Sequence, residues 1–306
     1  MTRVCTLQFP KGSYPGQKDD GFPMDELLIQ NLDVLAKNIV MDWDFTILIS
    51  GGGEVRVGKS VMAMQVGYYL SNRVKELYGH DTIFTLEHNY AFDATKLISK
   101  GTALSTSHKY SALVHDEGAA ELDSKKIMTR KTKVLLDYLR ECGQYNLFNI
   151  LVVPDFFELP KGVAVTRSVC LIDVQYFGDK EGIFQRGYYN FYSRRAKKEL
   201  YINGKKYMDY NAAKPSFYGR FSNFYPLPED EYRKMKFDAL SARQFEEASL
   251  SERVLKQRNA AFLALRKLNG LTFEEISQLI TDYSGFKTPL TTVSDAIKFM
   301  ESEQKA

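Results

Sequence analysis

The chain has 306 residues, of which 44% are hydrophobic and 26% are charged, as is ordinary for a soluble globular protein with one sizeable domain and a small appendage. The formal net charge of +3 is too small to indicate nucleic-acid binding unless the charges are clustered. The most apolar stretches, 45–49 and 147–153, are far too short to cross a bilayer, which excludes a membrane span there. The sequence begins without the apolar run of a signal peptide, so we expect a cytoplasmic protein, in the host cytoplasm if it is viral.

The first expected elements lead into a glycine-rich turn. Residues 1–24 are rich in Gly, Pro and Asp and predict an irregular arm. Apolar residues recur near helical period over 25–40, and a short β-rich apolar run follows at 45–49. Glycines then precede a second helical pattern over 60–78, so a buried strand is expected to enter a turn and then a helix.

Predicted strands and helices alternate over the middle of the chain. The expected strands are at 81–86, 111–115, 149–153 and 169–176. The expected helices are at 93–100 and 123–142. Such alternation is typical of βαβ units, and it predicts an α/β fold with a mainly parallel sheet.

The C-terminal part of the chain has a different pattern. Segments 187–192 and 199–202 are expected to pair as a basic β-hairpin, which completes a domain over 25–225. Residues 226–250 are interpreted as a linker, and 251–306 as a small helical domain. The three helices expected there are at 253–268, 273–283 and 289–300.

A phosphate-binding pattern lies between a predicted strand and a predicted helix. Gly53-x4-Gly58-Lys59-Ser60 fits the P-loop motif, and both flanks fit as well. Glycines let backbone N–H groups point at phosphate oxygens, and the positive end of the following helix adds to the attraction. We expect Lys59 to reach the β- and γ-phosphates and the Ser60 hydroxyl to bind Mg²⁺. The residues expected to contact the nucleotide are Gly53, Glu54, Val55, Arg56, Val57, Gly58, Lys59, Ser60 and Val61.

Two adjacent carboxylates follow the apolar run at 111–115. In a P-loop NTPase the aspartate at this place holds the Mg²⁺ shell, which is the role expected for Asp116. An adjacent glutamate can orient and deprotonate the attacking water, so Glu117 is the expected catalytic base. The pair favours an ATPase over a GTPase, and the sequence has no Asn-Lys-x-Asp motif for reading guanine. We therefore expect ATP and Mg²⁺ as the ligands, in a P-loop NTPase three-layer sandwich.

Two other catalytic positions have weaker sequence signals. A γ-phosphate sensor is expected after the strand at 149–153, where Asp155 takes the place of the usual Thr, Ser, Asn or Gln; a helix-capping role is the alternative. Multimeric ATPases often complete the site with an arginine from the next subunit. Arg167 is preferred over Arg130 and Arg140 because it lies just before a core strand, and a homo-oligomer is the corresponding expectation.

The segment 186–220 concentrates positive charge. Nine basic residues oppose two acidic ones, Glu199 and Asp209, and aromatic residues are interleaved with them. Basic side chains can follow a phosphate backbone while aromatic ones stack on bases, which predicts nucleic-acid contact, with DNA favoured. The alternative is that the aromatic face simply packs on the sheet. The basic residues are Arg186, Arg194, Arg195, Lys197, Lys198, Lys205, Lys206, Lys214 and Arg220.

The tail resembles a helix-turn-helix module in which 288–300 would supply the helix for the major groove. Thr272 and Glu275 form a capping box at the start of the preceding helix. Residues 251–306 carry eight basic and seven acidic side chains, a weak excess for a DNA binder, and such modules also bind proteins. The residues that would face DNA are Thr291, Thr292, Ser294 and Lys298.

The order of these parts resembles the additional-glutamate P-loop ATPases, and within them the zonula occludens toxin (Zot)-like and FtsK/HerA-like ATPases of phages and mobile elements. The resemblance covers about residues 25–225 and rests mainly on Gly53 to Ser60 and on the strand that ends in Asp116-Glu117. It implies a ring- or filament-forming ATPase that moves or packages DNA. Zot-like proteins usually carry a membrane-spanning helix, which this sequence lacks, so cytoplasmic DNA handling is favoured over membrane-anchored export.

These features together predict an ATP-driven motor or switch that acts on nucleic acid in a virus, plasmid or similar element. One alternative is an ATP-dependent regulator whose tail binds one DNA site. Another is a virion-assembly ATPase whose tail grips protein. A small-molecule kinase is the least favoured alternative, because the sequence shows no recognisable lid or acceptor pocket.

Overall fold

A computed structural model of the chain shows two compact units, Met1–Lys236 and Phe237–Ala306. Among the residues that the structure describes, no helix combines the length and the apolarity needed to cross a membrane. The described residues are 2–4, 22–54, 56–116, 130–178 and 181–303.

The first unit alternates strands and helices along most of its length. Its strands are β1 (Thr2–Val4), β2 (Pro23–Asp25), β3 (Phe45–Ser50), β4 (Tyr90–Ala91), β5 (Ala112–His115), β6 (Phe148–Val152), β7 (Ser168–Gly178), β8 (Phe184–Tyr192) and β9 (Phe217–Arg220). Its helices are α1 (Glu26–Ile39), α2 (Lys59–Tyr78), α3 (Leu86–Asn89), α4 (Ala94–Ser107), α5 (Arg130–Glu141) and α6 (Arg194–Gly204). A longer helix, α7 (Glu229–Asn269), begins in this unit.

Seven of these strands form one sheet in the order β4-β5-β6-β3-β7-β8-β9, and β1 pairs with β2 separately. The strands from β4 to β7 in this order are parallel, while β8 and β9 are antiparallel. The predicted α/β fold with a mainly parallel sheet is therefore confirmed. Because β3 lies at the centre, the loop that follows it emerges at the middle of the carboxyl edge, where ligands of such sheets bind.

Helices cover both faces of the sheet and make a three-layer sandwich. On one face, α4, α5 and α6 pack against sheet leucines such as Leu48, Leu113 and Leu151. The other face is covered by α2, and α1 packs outside α2 through Asp33, whose carboxylate accepts hydrogen bonds from Tyr69 (2.6 Å) and Arg73 (2.9 Å). The phosphate-loop helix is thus fixed from two sides.

The helix α2 approaches the sheet closely at Gly67. A Cβ atom at this position would lie 2.5 Å from two ring atoms of Phe84 and 3.3 Å from Ile150. Cores packed at native density do not yield that much without cost. Glycine at this position therefore leaves the space that the Phe84 ring occupies between α2 and its neighbours.

The strand expected at 81–86 does not form. Its polar groups are satisfied by side chains instead of a ladder: Ser111 accepts the N–H of Ile83 (3.0 Å), and Asn89 donates to the Ile83 carbonyl (3.0 Å). The edge strand of the sheet is the short β4 that follows. The prediction of a strand at 81–86 was wrong because side-chain hydrogen bonds, which a pattern of apolar residues does not reveal, satisfy this backbone.

The β-hairpin expected between 187–192 and 199–202 is also wrong. The strand β8 pairs with β7 before it and β9 after it, whereas 199–202 lie inside α6. The buried residues of α6 are Lys197, Leu200, Tyr201 and Gly204, which recur at helical spacing. Because one of the four is a lysine, the apolar stripe was not recognisable in the sequence.

The second unit is helical, as expected. It comprises the rest of α7 together with α8 (Phe273–Ser284) and α9 (Leu290–Glu303), around a small core that contains Phe262, Ile276 and Ile297. The capping box of Thr272 and Glu275 is present. The segment interpreted as a linker, 226–250, differs from expectation because it is helical from Glu229 onward.

Candidate nucleotide-binding site

The glycine-rich loop lies between the central strand β3 and α2, as its motif predicts. It is anchored to the end of the neighbouring strand β6, because the N–H groups of Gly51 (3.3 Å) and Gly53 (2.9 Å) donate to the Pro154 carbonyl. Within the loop, the N–H of Glu54 donates to the Gly51 carbonyl (2.8 Å). The loop is therefore a defined turn attached to the sheet at the edge where ligands bind.

Two motif glycines have a conformational reason to be glycine. Gly53 and Gly58 adopt φ values of 82° and 107°, a region that side chains disfavour. A Cβ atom at Gly58 would also lie 3.0 Å from the ring of Phe221. These positions let the backbone curl ahead of α2, which is the shape that a phosphate-binding loop needs.

The loop side chains divide between the solvent and the core. Lys59 begins α2 and its ammonium donates to the Glu54 carbonyl, so the side chain lies back over the loop. Glu54 and Arg56 are exposed, whereas Val57 and Val61 are buried, so the two valines can offer a ligand their backbone N–H groups only. Val55, another predicted contact, lies outside the described residues.

Asp116 follows β5 and is almost fully buried beside the loop. Its side chain is 1% exposed, and its N–H donates to the Ala91 carbonyl (2.9 Å). Its carboxylate accepts a hydrogen bond from the Tyr232 hydroxyl (2.6 Å), which also interacts with the Ser60 side chain. The structure therefore brings together Ser60 and Asp116, the two residues expected to hold Mg²⁺.

The donor set fits a magnesium ion. A hydroxyl and a carboxylate are hard oxygen ligands, and Mg²⁺ usually keeps water and substrate phosphates as its other ligands. Among the described residues there is no group of three or more His, Cys, Asp or Glu side chains that could hold a metal. A magnesium site here would be built from Ser60, Asp116 and bound phosphates.

The two predicted catalytic residues outside the loop have different outcomes. Glu117 lies outside the described residues, so its role as the base stays a prediction. Arg167 pairs with Asp44 of the same chain and donates to the Cys142 sulfur (3.2 Å). Arg167 and Asp44 directly precede β7 and β3, so they lie at the sheet edge opposite the phosphate loop. The predicted role of Arg167 in the site of a neighbouring subunit has no support from this geometry and stays a prediction.

A buried polar network beneath the loop was missed from the sequence. Asp173 on β7 accepts hydrogen bonds from Ser50 (2.7 Å) and Gln175 (2.9 Å). Burial raises the pKa of Asp173, and the charge of Asp155 adds to the rise. Asp155 itself accepts from the Tyr210 hydroxyl (3.1 Å) and the Phe157 N–H (2.8 Å). No helix begins directly after it, so the capping alternative is not supported, and the sensor role stays a prediction.

Two further residues beside Asp116 were also missed, Tyr232 and Lys236 at the start of α7. The Lys236 ammonium lies 3.7 Å from the same oxygen of Asp116 that accepts the Tyr232 hydroxyl. Burial raises the pKa of Tyr232, and Asp116 raises it further, so this hydroxyl stays protonated and donates. No local pattern marks these residues, because they lie in the segment interpreted as a linker.

The basic segment 186–220 does not present all of its charges. Seven of the nine basic side chains are exposed, but Lys197 is fully buried and donates to the carbonyls of Ala164 and Val165. The aromatic residues divide in the same way: Tyr189, Phe191, Tyr192 and Tyr201 are core residues, whereas Tyr207 and Tyr218 are exposed. Lys197 is thus removed from the predicted nucleic-acid surface.

The described residues form a three-layer α/β fold with a glycine-rich loop after the central strand of its sheet. No protein-family model and no curated protein matches the sequence. Solved structures that match include the genome packaging NTPase B204 of Sulfolobus turreted icosahedral virus 2 in complex with ATP-gammaS, at 13% identity and a TM-score of 0.34, over 50% of this chain and 94% of that one. The N-terminal domain of zonular occludens toxin from Neisseria meningitidis matches at 13% identity and a TM-score of 0.36. The match covers 62% of this chain and 98% of that one. A KaiC-like protein of Pyrococcus horikoshii OT3 matches at 16% identity and a TM-score of 0.31. This match covers 63% of this chain and 88% of that one.

Proposed function

We propose that this chain binds ATP with Mg²⁺ at the loop 53–60 and hydrolyses it to move, package or remodel nucleic acid. One observation carries the proposal. Lys59, Ser60 and Asp116 come from two elements that are far apart in sequence, and they gather around a glycine loop at the carboxyl edge of the central strand.

Each residue has a defined task in this mechanism. The N–H groups at the start of α2 attract phosphate oxygens, and Lys59 exchanges the Glu54 carbonyl for a phosphate. Ser60 and Asp116 would hold the metal ion, which when bound neutralises charge on the phosphates. Glu117, directly after the metal aspartate, is proposed as the base that takes a proton from the attacking water.

The nucleic-acid part of the proposal rests on the exposed charges of 186–220. Arg195 and Lys198 are exposed on α6, and Arg220 is exposed on the edge strand β9, where its guanidinium lies 4.7 Å from the ring centre of Tyr188. Exposed cations follow a phosphate backbone, and an exposed ring such as Tyr218 offers a stacking surface.

The test compares two double variants in DNA binding at several salt concentrations. Arg195→Ala with Lys198→Ala removes two exposed charges of the basic segment, and Lys37→Ala with Lys75→Ala removes two exposed charges from α1 and α2. We expect the first pair to weaken binding and to lower the salt slope by about one per lost contact. The nucleic-acid proposal is wrong if both pairs behave like the wild type.

One observation favours a second candidate, a virion-assembly ATPase whose tail grips protein. In the second unit, Tyr283 is 87% exposed and Phe286 is 79% exposed, and exposed aromatic residues are enriched at protein interfaces. The residues predicted to read DNA are not all exposed. Thr291 and Lys298 are exposed, while Thr292 is half-buried. Hydrolysis that is indifferent to DNA would favour this candidate.

A further inference from the structure

Two side chains from the first turns of α7 converge on one oxygen of Asp116. The Tyr232 hydroxyl donates to Oδ2 at 2.6 Å, and the Lys236 ammonium lies 3.7 Å from the same atom. Asp116 is 1% exposed and the Lys236 side chain is 25% exposed. The carboxylate expected to serve Mg²⁺ therefore already interacts with a donor and a cation of its own chain.

The position of Tyr232 is enforced by packing. Its ring lies against those of Tyr90 (5.9 Å between centroids), Phe92 (6.1 Å) and Tyr225 (6.3 Å). The residue is 4% exposed, and side chains in such surroundings do not change rotamer freely. The hydroxyl is therefore held between Ser60 and Asp116, the two side chains that would take part in metal binding.

A divalent cation and an ammonium compete for one carboxylate. Two cations within a few ångströms repel each other strongly in a partly buried site, so both cannot remain beside Asp116. A buried carboxylate without a cation is also costly, and Lys236 removes that cost while it stays paired. The residue thus stabilises Asp116 and opposes metal binding at the same time.

We propose that Tyr232 and Lys236 form a lock on the magnesium-binding oxygens, which rests on the proposed function. Binding of Mg²⁺ with the nucleotide requires the Lys236 ammonium to leave Asp116 and the Tyr232 hydroxyl to give up its place between Ser60 and Asp116. Occupation of the site by the metal is thereby coupled to a movement at the start of α7.

The test measures the affinity of the full chain for a fluorescent, non-hydrolysable ATP analogue, once with excess Mg²⁺ and once with excess EDTA. The ratio of the two affinities isolates the contribution of the metal. We expect Lys236→Met to raise this ratio about tenfold, because a partly buried ion pair no longer has to break. Tyr232→Phe raises it as well, Lys236→Arg restores the wild-type ratio, and Lys234→Met, an exposed neighbour on the same helix, leaves it unchanged.

The outcomes separate the lock from the function on which it rests. A purely structural role of Lys236 would weaken both affinities equally and leave the ratio as in the wild type, which would overturn the lock alone. A lower ratio in Lys236→Met would overturn it too, because it would mean that the lysine assists the metal. A wild-type chain that binds no analogue in either condition would overturn the proposed function together with the lock.

Discussion

The buried lysine of α6 should make the stability of this protein depend on alkaline pH. Lys197 has no exposed surface and donates to the carbonyls of Ala164 and Val165, the latter at 3.2 Å. Burial lowers the pKa of Lys197 from 10.5 to about 8. The folded state therefore binds this proton less tightly than the unfolded chain does.

The sign and size of the effect follow from proton linkage. Between the two pKa values of Lys197, 10.5 and about 8, the unfolded state carries more protons, so the free energy of unfolding rises with pH across that window. Each unit of pKa difference corresponds to about 1.4 kcal/mol, so the whole window contributes about 3 kcal/mol, the largest part of it between about pH 8 and pH 10.

The assay is urea unfolding of the wild type, Lys197→Met and Lys198→Met at pH values from about 7 to about 10. We expect the wild type to gain about 2–3 kcal/mol of stability relative to Lys197→Met as the pH rises. Buried tyrosines titrate equally in both proteins and cancel in this difference. Lys198 is exposed, so its variant should run parallel to the wild type. A difference between wild type and Lys197→Met that stays constant over this range would refute the reasoning.

Three other predictions concern the helix α2, the network beneath the loop and the ion pair at the opposite edge of the sheet. Gly67→Ala should lower the free energy of unfolding by about 1–3 kcal/mol, measured by urea unfolding, because the new methyl group would overlap an aromatic ring. The pKa of Asp173 is raised in the folded state, so stability should fall as the pH rises through that pKa, and Asp173→Asn should remove this dependence in thermal unfolding while keeping an acceptor for Ser50. Arg167→Ala should cost about 2 kcal/mol by leaving Asp44 without its partner, and the ATP hydrolysis of the folded variant should stay unchanged. Lost hydrolysis at unchanged stability would instead support the predicted role of Arg167 between subunits.

Local patterns predicted the central part of the site. The strand at 45–49, the glycine turn and the helix that begins at Lys59 are adjacent in sequence, so hydrophobic period and turn chemistry define all three. The aspartate after β5 was found in the same way, because an apolar run ends there. The sheet edge at which they meet follows from parallel βαβ geometry.

Contacts between distant segments could not be predicted. Asp116 and Tyr232 are 116 positions apart, and the tyrosine lies in a polar stretch that resembles a linker. The buried face of α6 was not recognised because one of its residues is Lys197. Side-chain hydrogen bonds of Asn89 and Ser111 satisfy the backbone where a strand was expected at 81–86. In each case tertiary structure decided against the local pattern.

The most direct test of the proposed activity is the rate of ATP hydrolysis by the wild type, Lys59→Ala, Glu117→Gln and Glu54→Gln, each with and without DNA. Glu54 is an exposed carboxylate of the same loop and serves as the matched control for Glu117. We expect DNA to stimulate the wild type and Glu54→Gln, and both Lys59→Ala and Glu117→Gln to lose activity by a factor of about 100 or more. Hydrolysis by Lys59→Ala at the wild-type rate would contradict the assignment of this loop as the ATP site.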